Sequence, residues 1–167
     1  MLFLASTLAN LPVITPDREN LGLVKEAVFD PKILKLVGIL VQRGIFQPLG
    51  VVSPLDVIKI SPRFLLVKER EAVLPINEIV RVEKLLKERS RIIRMRAETI
   101  SGKFLGRVDD ILFDETDGRI VKFYLHALMT ERILPVESLL KVEKKRLIFN
   151  IEESEKQKIS APLPAIE

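Results

Sequence analysis

The 167-residue chain has no cysteine and no tryptophan, and only one histidine and one tyrosine. Without cysteine there is no disulfide, no thiolate metal site and no thiol nucleophile. A lone histidine, His126, has no second histidine or cysteine to complete a metal set, and it reads as a surface residue near a strand end. Aromatic residues make up only 5% of the chain, which argues against reading single-stranded nucleic acid by base stacking. No run approaches the roughly 18 consecutive apolar residues of a membrane span. The uncharged opening, residues 1–16, has no basic group before its apolar residues and is interrupted by Asn10, Pro12 and Thr15, unlike a signal peptide. These absences lead us to expect a soluble, cytoplasmic, non-enzymatic protein without cofactor or metal. What the chain has in quantity is aliphatic: 47% of residues are apolar and 30% charged, which excludes disorder as a whole.

The net charge of +4 is concentrated. Residues 76–96 carry seven basic and three acidic groups, while the flanking regions nearly cancel.

The chain contains itself twice. Shifting it by 84 positions lays residues 12–41 over 96–125 without a gap, and seven pairs are identical. Among them are Gly22/Gly106, Val24/Val108, Phe29/Phe113 and Asp30/Asp114. Other pairs keep their type, such as Val28/Leu112 and Leu36/Ile120. Farther on the shift becomes 82, pairing Val51 with Ile133 and Val57 with Leu139. With only two copies, each is expected to close its own core rather than stack as a solenoid.

Each copy reads as short strands broken by turns. In the second, strands are expected over 107–113, 119–126, 139–143 and 146–151, with a Gly-containing turn at 101–106 and a hairpin turn at 114–118. In the first, they are expected over 23–29, 34–43, 57–60 and 63–67. Between the copies, Ile76, Ile79, Val80, Leu85 and Leu86 recur at helical spacing, with Asn77 as candidate N-cap. Four segments result: a first β unit at 1–75, a linker helix at 76–92, a second β unit at 93–153 and a flexible tail at 154–167.

Residues 99–114, with Lys103-Phe104-Leu105-Gly106-Arg107-Val108-Asp109-Asp110-Ile111-Leu112-Phe113-Asp114 at their centre, resemble the signature half of a PRC-barrel domain. So do Gly118-Arg119-Ile120-Val121 and Ile133-Leu134-Pro135-Val136-Glu137. The first copy resembles it in Asn20-Leu21-Gly22-Leu23-Val24, Phe29-Asp30 and Ser53-Pro54-Leu55-Asp56-Val57. The resemblance implies a mainly β protein: two small PRC-type β-barrels joined by a short linker helix. It also implies partner binding, as in the cytoplasmic domain of the photosynthetic reaction-centre H subunit or the C-terminal domain of a 16S rRNA maturation factor. The first copy departs from the pattern by carrying Asp30-Pro31-Lys32 where the second has an acidic hairpin ending in Gly118.

The acidic cluster Asp109, Asp110, Asp114, Glu115 and Asp117 does not have EF-hand spacing and reads as a solvated turn. Asp110 falls beside inward-facing Val108 and Leu112, so either a bulge turns it outward or it caps backbone amides. Two functional readings follow. The first is a protein-interaction adaptor or scaffold with Leu36, Leu40, Ile120 and Tyr124 as candidate interface. These equivalent positions lie opposite the core stripe and are available to pack the barrels together, to form a homodimer or to receive a protein partner. The second is a ribosome- or RNA-associated maturation factor using the basic stretch 81–96, with Arg89, Arg91, Arg94 and Arg96 as candidate phosphate contacts. A peripheral membrane version of the adaptor is a further alternative.

Overall fold

The computed structural model describes residues 1–143 and 145–151, so the segment read as a flexible tail lies outside the described residues. The elements in chain order are β1 (Leu2–Leu4), β2 (Pro12–Ile14), β3 (Asn20–Asp30), β4 (Lys35–Gln42) and β5 (Gly50–Val52). Then come β6 (Val57–Ile60), β7 (Leu65–Val67), β8 (Val73–Pro75) and the one α-helix among the described residues, α1 (Val80–Lys87). The second half holds β9 (Arg96–Thr99), β10 (Phe104–Asp114), β11 (Ile120–Ala127), β12 (Thr130–Pro135), β13 (Leu139–Glu143) and β14 (Arg146–Phe149).

The internal repeat is visible in the ladders. One sheet runs β6-β7-β2-β3-β4-β5-β8, and the other β12-β11-β10-β9-β14-β13 with β1 added to β10. Each has one parallel pair, β2 with β7 and β9 with β14, in equivalent register: Val13 opposite Leu65, and Ala97 opposite Leu147. β3 and β10 are both eleven residues long and break register at the same two offsets, after Val24 and Val28 in one and after Val108 and Leu112 in the other. Neither ladder closes on itself among the described residues; the paths end at β6 and β8, and at β12 and β13.

Two differences from the sequence boundaries have physical causes. First, β1 precedes the first copy but pairs with the second sheet, Phe3 opposite Phe113. Its apolar residues gain a backbone ladder and a buried position for Phe3, neither of which a free terminus has. The bulge at Val108/Asp110 accompanies this docking: Asp110 Oδ1 accepts from the Ser6 amide at 3.0 Å and the Ile111 amide at 2.8 Å, and its other oxygen accepts from the Ser6 hydroxyl. Asp110 thus both sits at a bulge and caps amides, as Glu26 sits at the matching bulge and pairs with Arg91. Second, Asn77 is not an N-cap. It lies in a 3-10 turn, Ile76–Glu78, and α1 begins after Ile79 with no side-chain cap. An ion pair from Arg81 to Asp30, at 3.3 Å, ties the start of α1 to the first sheet instead.

The copies do not close separate cores. The hairpin turns after β3 and β10 meet across a local two-fold relation: the Leu36 amide donates to the Gly118 carbonyl at 2.9 Å, and the Ile120 amide donates to the Leu34 carbonyl at 3.0 Å. Leu36 and Ile120 are repeat partners, as are Leu34 and Gly118, so the contact is isologous within one chain. The two turns are alike despite their sequences. Asp30 and Asp114 each accept the amide four residues on, from Leu34 and Gly118, both at 2.8 Å. Gly118 adopts φ 73° without penalty, while Leu34 adopts φ 55° at a cost of roughly 1–2 kcal/mol. Below the turns, Phe29 and Phe113, also repeat partners, pack edge to face with centroids 5.3 Å apart and join one continuous apolar core.

This shared core predicts that Phe29→Ala and Phe113→Ala each destabilise the whole chain by about 3–5 kcal/mol. In a urea-denaturation double-mutant cycle the two should couple by about 1 kcal/mol. Strict additivity would show that the aromatic pair does not bind the halves together.

Candidate interaction surface

Each sheet has an outer face made from equivalent positions. On the first it consists of Val28, Gly38, Leu40 and Val51; on the second, of Leu112, Lys122, Tyr124 and Ile133. In-register pairing sets Leu40 beside Val51, and Tyr124 beside Ile133. The two faces are covered very differently. On the first sheet Val82 and Leu85 of α1 form a cluster with Val28, Leu40 and Val51, and Leu40 is 2% exposed. On the second, Leu112 and Tyr124 are half-buried and Ile133 is 40% exposed.

One residue pair accounts for much of the asymmetry. A Cβ on Gly38 would lie 2.7 Å from Val82 and 2.9 Å from Val51, so α1 approaches closely only because this position has no side chain. Its counterpart, Lys122, is exposed and puts a long charged side chain where a second such helix would need to sit.

Of the interface residues expected from sequence, Leu36 and Ile120 are at the junction between the halves, 8% and 3% exposed. Leu40 is beneath α1. Tyr124 alone keeps an accessible side chain. Leu112 and Ile133 join it on the same face; the repeat pairs Val28/Leu112 and Val51/Ile133 carried the signal for both.

The arginines of the basic stretch differ in what they pair with. Arg91 pairs with Glu26. Arg96 pairs with Glu98, and its guanidinium stands 4.3 Å from the ring centre of Phe104. Arg89 and Arg94 are exposed, at φ 50° and 75°, and make no ion pair among the described residues. A different cationic arrangement, which the linear sequence does not display, lines a groove of about 840 Å³ between α1 and β13. Lys32, Arg81, Lys84, Lys141 and Lys145 border it together with Asp30 and Glu88. Much of its charge is already compensated: Arg81 pairs with Asp30, Lys141 with Glu143 at 2.7 Å, and Lys145 donates to the Glu88 carbonyl at 2.6 Å.

The acidic turn is organised by its own backbone. Asp114 accepts from the Thr116 amide at 2.9 Å and Asp117 from the Arg119 amide at 3.0 Å, and these bonds hold both carboxyls below the usual range. His126 is exposed, its Nδ1 3.9 Å from Glu131. Among the described residues no group of three or more His, Asp or Glu side chains is placed to hold a metal ion. No helix among them is long and apolar enough to cross a membrane.

Glu98 is a buried carboxylate of the second sheet. It is 5% exposed, accepts from Arg96, and lies 3.0 Å from Arg146 of the neighbouring strand β14. The Arg96 hydrogen bond, with the Arg146 charge beside it, lowers its pKa below the ordinary 4.5. A depressed folded-state pKa contributes stability that is complete above 4.5 and lost as pH falls through the lower folded value. Glu98→Gln is therefore expected to be less stable than the parent at pH 7. Thermal melts at successive pH values should show that gap narrowing below pH 4.5; a gap constant down to pH 2 would contradict it.

The PRC-barrel domain family profile matches the chain over residues 1–74 and again over 86–156. No curated protein matches it in sequence.

Proposed function

We propose that this chain, which belongs to the PRC-barrel family, works as a non-enzymatic adaptor whose protein partner seats on the outer face of the second sheet. The observation that carries the reading is the unequal cover of two equivalent faces. Val28, Leu40 and Val51 have α1 as their roof, and Leu112, Tyr124 and Ile133 have none among the described residues. The first face also shows what fits such a surface: an amphipathic helix presenting Val82 and Leu85. On the second face Lys122 adds a charge at the centre of the row. The matching partner is an apolar helix or strand with an acidic side chain opposite Lys122. Burying this row on a partner removes apolar surface from water at roughly 25 cal/mol per Å². The two halves, held as one unit by their shared core, act as a rigid platform for that face.

The test uses three variants in the native cell. Tyr124→Arg with Ile133→Arg should leave the melting temperature within a few degrees and remove a specific protein from affinity-purified material. Lys122→Glu should weaken the same association while sparing the fold. Leu40→Arg, by contrast, places a charge beneath α1 and should unfold the first sheet. Unchanged partners in the double variant would overturn the reading. Ribosomal components that persist in it and are lost only at high salt would favour the RNA-associated alternative.

A further inference from the structure

Among the described residues the most exposed large apolar side chains come in two adjacent pairs, Ile45-Phe46 and Leu128-Met129, all at least 90% exposed. The pairs occupy equivalent places, the connection from β4 to β5 in the first sheet and from β11 to β12 in the second. Leu128 and Met129 are the two-residue turn of a hairpin closed by Ala127 opposite Thr130. Asparagine, aspartate and glycine suit such a turn, so its backbone does not call for leucine and methionine. Neither residue belongs to an apolar cluster of the interior, so packing does not call for them either. A second turn, from β9 to β10, lies at the same end of the second sheet. β9 and β11 flank β10 there, with Arg96 and His126 both opposite Arg107. Arg132 of β12 donates to the Leu105 carbonyl at 2.7 Å, which holds the 128–129 turn beside the start of β10. Ile100 and Phe104 are exposed at that second turn. Its shape is set by its own bonds: the Lys103 amide donates to the Thr99 hydroxyl at 3.1 Å, and the Thr99 amide to the Lys103 carbonyl at 2.9 Å.

The two equivalent ends differ in charge. Residues 94–107 with 126–132 hold five basic and two acidic groups, whereas their counterparts, 10–23 with 42–50, hold two of each. Of the two acids at the second end, Glu98 is paired with Arg96 and Arg146, and Glu131 lies 3.9 Å from His126. Lys103 and Arg107 are exposed. Arg107 donates to the Arg94 carbonyl at 3.1 Å, so both it and Arg132 are held by neutral oxygens and keep their charge for an outside anion. A hot spot for a protein partner sits in a packed, water-excluding patch. The four apolar side chains here stand instead on two projecting turns with cations around them. A bilayer needs no complementary pocket. Apolar turns enter its headgroup boundary, to a depth of about 5–10 Å, while the aliphatic stems of lysine and arginine lie along it and their charged ends meet lipid phosphates.

We infer that the turns at 100–103 and 128–129 form a docking surface for an anionic lipid bilayer. Ile100, Phe104, Leu128 and Met129 enter the headgroup boundary, and Lys103 and Arg107 meet the lipid phosphates. This end is distinct from the row Leu112, Tyr124 and Ile133, and lipid binding here is independent of a protein seated there.

Sedimentation of the purified full-length chain with lipid vesicles tests this with no protein partner present. The chain should partition onto vesicles of equal phosphatidylcholine and phosphatidylglycerol at least about tenfold more strongly than onto phosphatidylcholine alone. Leu128→Ser with Met129→Ser should lower that partition at least about tenfold, and so should Lys103→Glu with Arg107→Glu. Ile45→Ser with Phe46→Ser, at the end without excess cations, should change it less than about twofold. All three variants alter exposed side chains and should melt within a few degrees of the parent. The chain has no tryptophan, so Met129→Trp introduces a single indole at the inserted turn. Its emission should move to the blue on the mixed vesicles and stay in place on phosphatidylcholine. Equal partition onto the two kinds of vesicle, unchanged partition in the Leu128 and Met129 variant, or unshifted emission would each overturn the inference. So would pelleting that needs no vesicles and is lost in the same variant, which would make the turn a contact between copies of this chain.

Discussion

The organisation of this protein depends on the place where its two hairpin turns meet. The bonds from Leu36 to Gly118 and from Ile120 to Leu34 are a two-fold contact made within a single chain. Phe29 and Phe113 extend it into the interior. Such a contact has the logic of a homodimer, with the concentration dependence removed by covalent linkage. Because it fixes how the sheets face each other, it also decides which surfaces remain. Leu36 and Ile120 are consumed by it, and the outer faces are left on the periphery.

Much of this was legible from the chain itself. The repeat, the long central hairpins, the equivalent strands at 57–60 and 139–143, and the helical segment between the copies follow from residue identity and periodicity. What was not legible depends on partners distant in sequence. β1, β5 and β8 are three-residue strands with no period to read; they exist because a neighbouring edge completes their hydrogen bonds. The missing glycine at Leu34 hid a turn that backbone geometry restores at some cost. Leu40 read as an outward-facing residue, and α1 returns over it. The sign was the smallest residue in the row, Gly38, beside one of the largest gaps in the repeat's similarity, Lys122.

Two equivalent faces with unequal cover are what duplication followed by specialisation looks like in physical terms. One face has acquired an internal ligand in α1, held by Val82, Leu85 and the Arg81–Asp30 pair. The other retains an aromatic and two aliphatic residues around a lysine. The proposed adaptor role draws on that retained face, and the shared core gives it a stiff support. A site on a rigid scaffold loses less conformational entropy on binding than one on a mobile segment.

The first strand has a consequence for how the chain is made. Leu2, Phe3 and Leu4 are synthesised long before their ladder partners, Leu112 to Asp114. The arm therefore has no place to pair until most of the chain has been synthesised. The first sheet is able to gather its own strands earlier, but its junction and the arm wait for β10. Closing such a distant contact late is the slow kind of folding step. Until then Phe3 and the exposed end of the core are open to other chains, so the N-terminal arm marks the interval in which this protein is most vulnerable to misassembly.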